Sequence, residues 1–132
     1  FIILNFTPMK DLIFKDECFQ IIGNCMTIHR ILGRGFKEIV YKDALVIELE
    51  KAKIPFSREK EFSIKYKGVI LPHSYFADFV VMDKIILEIK SVSEIRSDFY
   101  AQTINYLKVS GLKLGLIVNF GEPTLQYRRV VL

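Results

Sequence analysis

The chain has 132 residues, a net charge of +4 and a sequence pI of about 9.1, with 51% hydrophobic and 26% charged residues. That is one domain of ordinary globular composition, which excludes disorder and low-complexity fibres, and no apolar run approaches the ~20 residues that a membrane helix needs. The excess of Lys and Arg permits an anionic partner such as nucleic acid, although an ordinary basic surface accounts for it as well.

The first eight residues, FIILNFTP, are apolar and end in a proline. No basic segment precedes them and no A-x-A site follows, so they do not read as a signal peptide. Met9, followed by Lys10 and Asp11, is the expected native start. The functional domain is then residues 9–132, with residues 1–8 a non-native or disordered extension; a short edge strand is the other reading of that segment.

From Asp16 to Leu32, Phe19, Ile22 and Met26, with Ile21 and Ile28, recur at helical intervals, and Gly33-Arg34-Gly35 ends the helix. Cys18 and Cys25 share a face of it. Without C-x-x-C spacing or a His/Cys cluster they read as buried free thiols of a reducing, cytoplasmic compartment rather than a zinc or iron–sulfur site. A second helical pattern from Phe36 to Lys53 carries Ile39, Val40, Ala44, Leu45, Ile47 and Leu49, and Pro55 closes it. The period then falls to two. Glu59 to Tyr66 alternates, Lys67-Gly68 reads as a hairpin turn, and the next strand runs from Val69 to Met82 with Pro72 as a candidate break. Asp83-Lys84 is a second turn and Ile85 to Val92 a third strand. Helical spacing returns from Ser93 to Ser110, before a capping Gly111. Leu114 to Phe120 is the continuous apolar run of a strand buried on both faces, and Gln126 to Leu132 is a final strand. The order α-α-β-β-β-α-β-β predicts an α/β (α+β-like) fold, a mixed central sheet flanked by helices.

Charged residues interrupt these strands in awkward places. Asp78 is the only charge in Tyr75–Met82, and Glu88 breaks the apolar run from Ile85 to Ile89, just before Lys90. A carboxylate buried in a sheet costs several kcal/mol unless it is paired or bound to a metal. Strand periodicity puts Glu88 and Lys90 on one face, and the turn at Asp83-Lys84 folds their strand beside that of Asp78. Two such carboxylates form a hard-oxygen site suited to Mg²⁺ or Mn²⁺. A lysine two residues on can orient water or neutralise charge developing on a phosphate. An exposed Glu88–Lys90 pair and a lone Asp78 are the bland alternative. On the next helix Gln102 and Tyr106 are i,i+4 and share a face, where they offer neutral donors to phosphate or base; a solvated Gln and a half-buried Tyr is the commoner case.

Gly35-Phe36-Lys37-Glu38-Ile39-Val40-Tyr41 fits G-x-x-E-x-x-Y, and His29-Arg30-Ile31-Leu32-Gly33-Arg34 precedes it. With Asp78, Glu88-Ile89-Lys90, Gln102-x-x-x-Tyr106 and the segment Gly115 to Gly121, this order resembles the GxxExxY protein family, a small bacterial and archaeal group within the PD-(D/E)XK nuclease superfamily. The resemblance spans nearly all of residues 9–132 and implies a restriction-endonuclease-like core. It implies metal ligation by Asp78 and Glu88 with the Ile89 carbonyl. Glu38 would complete the set directly or through water, and Lys90 would position or activate the attacking water. It assigns Gln102 and Tyr106 to the Q-x-x-x-Y motif of RecB-type nucleases, beside the catalytic centre. His29 matches the histidine of the family's first motif, where helix packing is an equal reading. Many relatives carry a His three residues before the Gln; Phe99 stands there in this chain.

The implied function is Mg²⁺- or Mn²⁺-dependent hydrolysis of phosphodiester bonds in nucleic acid, with DNA the first substrate class. The basic residues around the first two helices, Arg30, Arg34, Lys37 and Lys42, are expected phosphate contacts, with His29 and Tyr41 beside them. A homodimer or a protein partner would supply the grip that one small domain lacks. No membrane and no iron–sulfur cluster are expected, since RecB-type clusters use four cysteines. The alternative is a catalytically silent module of the same fold that binds nucleic acid or another protein.

Overall fold

The change of hydrophobic period along the chain becomes helices over one segment and sheet over the next in a computed structural model, which describes residues 12–132 and the backbone of residues 2–3. The elements are β1 (Ile2–Ile3), α1 (Lys15–Leu32), α2 (Glu38–Lys51), β2 (Phe56–Tyr66), β3 (Val69–Val81), β4 (Ile85–Lys90), α3 (Ser97–Ser110), β5 (Leu114–Asn119) and β6 (Gln126–Val131). They form a six-stranded sheet of order β1-β6-β5-β4-β3-β2 among the described residues. Among the described residues only β4 and β5 are parallel, and α3 supplies the crossover that a parallel pair requires. The expected start at Met9 lies outside the described residues, whereas Ile2 and Ile3 pair with Val131 and Val130 at the sheet edge.

α1 and α2 cover one face of the sheet, where Phe79, Val81, Leu87, Ile89, Leu116 and Val118 point, and α3 covers the other, over Val80, Ile86, Ile117 and Val130. The buried stripe of α1 is Cys18, Ile21, Ile22, Cys25 and Ile28. Phe19 and Met26, expected in that stripe, are 74% and 46% exposed. Apolar residues nearly encircle this helix, so the period fixes a helix but not which way it turns. Both thiols are free and buried, and burial pushes Cys25 up to about 12, which leaves it inert. In α2 the inward residues are Tyr41, Lys42, Leu45 and Leu49, while Ile39 and Ile47 face out.

β2 starts at Phe56, ahead of the expected Glu59, because Phe56 pairs with Val81 and packs edge-on against Phe79. Lys67 and Gly68 both have positive φ, 50° and 80°, between the paired Tyr66 and Val69, as a two-residue hairpin turn demands. Pro72 does not end β3. The pairs Ser63↔Ser74 and Lys65↔Ile70 leave Ile64 opposite residues 71–73, and a bulge there needs no N–H from the proline. α3 begins at Ser97, later than Ser93. It rests directly on β5: a Cβ on Gly115 would stand 2.2 Å from Thr103 Cγ2.

What positions the candidate site is a fork in the sheet. β3 and β4 pair only over Phe79–Val81 with Ile85–Leu87. Beyond that point β4 continues along β5 through Lys90↔Asn119, and β3 continues with β2 as a two-stranded ribbon.

Candidate active site

Asp78 and Glu88 are the first residues past the last β3–β4 pair, and their side chains take over from the ladder. The Asp78 N–H donates to Glu88 Oε2 at 2.8 Å, and the Ile89 N–H donates to Asp78 Oδ2 at 2.8 Å. Without these carboxylates two backbone donors at the fork would lose their partners. Glu88 is 2% exposed and Asp78 half-buried. Burial, and then the neighbouring Asp78 charge, push the Glu88 carboxyl up to about 8. Glu88 forms no ion pair among the described residues.

Asp78 has a cation beside it. Lys42, only 9% exposed on the inner face of α2, donates to Asp78 Oδ1 at 3.1 Å and to Glu59 Oε1. Burial alone would lower the Lys42 ammonium's pKa, but the bonds to Glu59 and Asp78 outweigh it and hold the group above its usual value. Lys42 was expected to hold phosphate; it is instead enclosed in an ion-pair triad. Glu59 was missed. Its register explains why: counted from the hairpin turn alone, Asp78 faces Ser57, whereas the bulge at Pro72 shifts the strand so that Arg58↔Phe79 and Lys60↔Ala77 bracket Glu59 opposite Asp78. Pro72 was the one available signal, read as a bulge site rather than a break. Glu59 itself has φ 52°, a left-handed conformation within β2.

Lys90 projects toward α3, where its Nζ donates to Gln102 Oε1 at 3.0 Å and lies 4.5 Å from the Phe99 ring centroid. Phe99 thus gives the ammonium an aromatic face. Tyr106, one turn beyond Gln102, is buried and stands edge-on to Tyr75 at 5.4 Å. Burial, then the charges of Glu88 and Asp78, raise its hydroxyl well above the ordinary tyrosine value, so it stays protonated. Lys90, Gln102 and Tyr106 therefore gather on the α3 side of the fork, on the face of β4 that carries Glu88, while Asp78 reaches across to Lys42 of α2.

Glu38 sits at the start of α2, and its Oε2 accepts the Ser91 N–H at 3.4 Å, while Ser91 Oγ donates to the Phe36 carbonyl at 2.6 Å. Among the described residues no three His, Cys, Asp or Glu side chains form a metal-ligand group, so the expected trio of Glu38, Asp78 and Glu88 is not assembled. Glu38 is tied instead to the residue after Lys90. Tyr41, expected at the nucleic acid, is fully buried: its hydroxyl donates to the Gly33 carbonyl at 2.6 Å and its ring stacks on Phe120 at 4.4 Å. It braces the loop before α2 and cannot reach a ligand. The half-buried His29 Nε2 bonds the Glu122 carbonyl at 2.9 Å, the packing alternative for that residue. Arg30, Arg34 and Lys37 are exposed, and Arg34 and Lys37 line an open concavity of about 600 Å³ with Gly35, Phe36, Ser91 and Gly121.

The Asp78–Glu88 pair fits a small hard divalent cation. Its donors are carboxylate oxygens, and the ionised form of Glu88, which burial and Asp78 disfavour, is the form that a cation would stabilise.

A mixed sheet with one parallel pair, covered by helices on both faces and carrying D…E-x-K where its strands part, defines a restriction-endonuclease-like fold. A family model described as the PD-(D/E)XK nuclease superfamily matches residues 15–130, from α1 to β6, and the chain belongs to that superfamily. Nucleases of this superfamily generally use Mg²⁺ or Mn²⁺. Among solved structures, the one titled "Crystal structure of SSO0001" has the same fold, with a TM-score of 0.55 at 16% identity over 72% of this chain. The match covers 50% of that structure's own chain. No curated protein matches the sequence.

Proposed function

We propose that this domain is a Mg²⁺- or Mn²⁺-dependent nuclease that hydrolyses phosphodiester bonds, centred on the β3–β4 fork. The observation that carries this reading is the meeting of Asp78 and Glu88 across the fork, with Lys90 two residues on and turned to the same side as Glu88. Asp78, Glu88 and the Ile89 carbonyl would hold the cation, which when bound supplies polarisation of the phosphate and a more acidic water.

The chain's own residues do the rest. Lys90, fixed by Gln102 and the Phe99 face, presents an ammonium to charge that develops on phosphate oxygens and to the attacking water. Tyr106 stays protonated and keeps an O–H to donate. Arg34 and Lys37, exposed beside the end of β4, grip backbone phosphates without reading bases. Glu38 steadies the strand end through Ser91. The motif order of the GxxExxY family and the Q-x-x-x-Y pair are consistent with this assignment. DNA is the first substrate to test, and a second copy or partner would widen the grip.

The test is a panel of labelled single- and double-stranded DNA and RNA with Mg²⁺, Mn²⁺ or EDTA. Metal-dependent product lost in Asp78→Asn, Glu88→Gln and Lys90→Ala supports the reading; product unchanged in all three refutes it. A second reading, a nucleic-acid-binding module without turnover, draws on the Lys42 ammonium already at Asp78. Binding that survives EDTA and weakens steeply with salt, with no product, would favour it.

A further inference from the structure

We infer that Lys42 is a built-in cation that holds the metal position at Asp78 and that a divalent ion must displace, with Glu59 as the partner to which the ammonium withdraws. The inference rests on the reading of Asp78 as a metal ligand. Lys42 Nζ sits 3.1 Å from Asp78 Oδ1, and Oδ2 of the same carboxylate accepts the Ile89 N–H, so both oxygens of this ligand are engaged. A cation approaching Asp78 meets the ammonium at the very oxygen not committed to backbone.

The ammonium is not stranded by such an exchange. It already bonds Glu59, whose side chain is 49% exposed while that of Lys42 is 11% exposed. An unpaired buried ammonium would be costly, so displacement without a second acceptor would oppose metal entry. Glu59 removes that opposition, and its place opposite Asp78 follows from the bulge at Pro72 and the left-handed turn of its own backbone. Lys42 and Glu59 thus act as a pair: one competes with the metal, and the other sets how hard it competes. A lysine that only braced α2 against the sheet would have no such link to affinity for an ion.

The experiment is calorimetric titration of Mn²⁺ into the full chain, without nucleic acid, for the wild type, Lys42→Met, Lys42→Arg, Glu59→Gln, the Lys42→Met/Glu59→Gln double variant and Asp78→Asn. Lys42→Met is expected to tighten Mn²⁺ binding within the ~5–150-fold span of ordinary site–site couplings, and Glu59→Gln to weaken it. In the Lys42→Met background Glu59→Gln should change little, because Glu59 acts through the ammonium. The charge-retaining Lys42→Arg should stay near the wild type. Looser or unchanged binding in Lys42→Met overturns the inference and leaves the metal reading in place. Should Lys42→Met fail to fold, unchanged or tighter binding in Glu59→Gln overturns it alone. No Mn²⁺ binding in any variant, or binding indifferent to Asp78→Asn, overturns the metal reading and the inference together.

Discussion

Glu88→Gln separates the burden of a buried charge from the loss of a side chain. Glutamine keeps an oxygen for the Asp78 N–H, bonded at 2.8 Å in the wild type, and removes the ionisable proton. The Glu88 carboxyl ordinarily ionises at 4.5 but is pushed up to about 8 in the fold, by burial first and then by Asp78. Between those values the native chain keeps a proton that the unfolded chain has lost. Stability from this group is therefore full below 4.5 and falls as pH rises, until it is lost through about 8. At 1.36 kcal/mol per pH unit the window sets a ceiling of about 5 kcal/mol, and water entering from the Asp78 side reduces it to a few kcal/mol. The assay is urea unfolding with EDTA at pH values from about 5 to about 9, for wild type and variant, so that every other titrating group cancels in the difference. Glu88→Gln should match the wild type at the acid end and exceed it at the alkaline end. Mg²⁺ should restore stability to the wild type at the alkaline end and not to the variant. A difference that stays flat across the whole range refutes the reasoning.

Three further outcomes follow from the packing around the fork. Lys90→Met should lower metal-dependent cleavage by ~10²–10³-fold, the usual loss of a charge-stabilising group, with the melting temperature held or raised; a rate within a few-fold of wild type removes Lys90 from the chemistry. Gly115→Ala should lose about 1–3 kcal/mol in thermal unfolding because its Cβ meets Thr103 Cγ2 at 2.2 Å. Thr103→Ser deletes that methyl while keeping the bond to the Phe99 carbonyl, and should restore most of the loss; no rescue would mean that the contact is not the cause. Tyr41→Phe should cost about 1 kcal/mol through the lost hydroxyl bond to Gly33 and should speed hydrogen exchange in residues 33–37, with slow exchange there contradicting the bracing role.

The elements were legible because glycines and turns punctuate them. Gly33, Lys67-Gly68, Asp83-Lys84 and Gly111 interrupt the hydrophobic pattern, and each marks a real boundary. The placing of Glu88 and Lys90 on one side of β4, close to Asp78, was legible for the same reason: a short turn fixes register and a period of two fixes face. Lys42 and Glu59 were not, because their meeting depends on a bulge far along a hairpin, and one slipped pair moves every later partner. Tyr41 misled because a motif residue invites a functional role, whereas its hydroxyl is consumed in turning the chain between α1 and α2. Glu38 lies where the resemblance put it along the chain, but the Ser91 amide that engages it belongs to the end of β4, which no local pattern connects to the start of α2.

The carboxyl groups of Asp78 and Glu88 also finish the sheet, each accepting a backbone N–H that the parting strands leave behind. These two positions therefore carry a structural demand that is independent of any chemistry. A chain of this fold without any cleavage would still need an acceptor at each place to close the fork, and acids or their amides would serve. An intact D…E pair therefore reports the geometry of the fork whether or not the chain cleaves anything, and on the proposed reading the side chain that reports turnover alone is that of Lys90, whose ammonium closes no gap in the sheet.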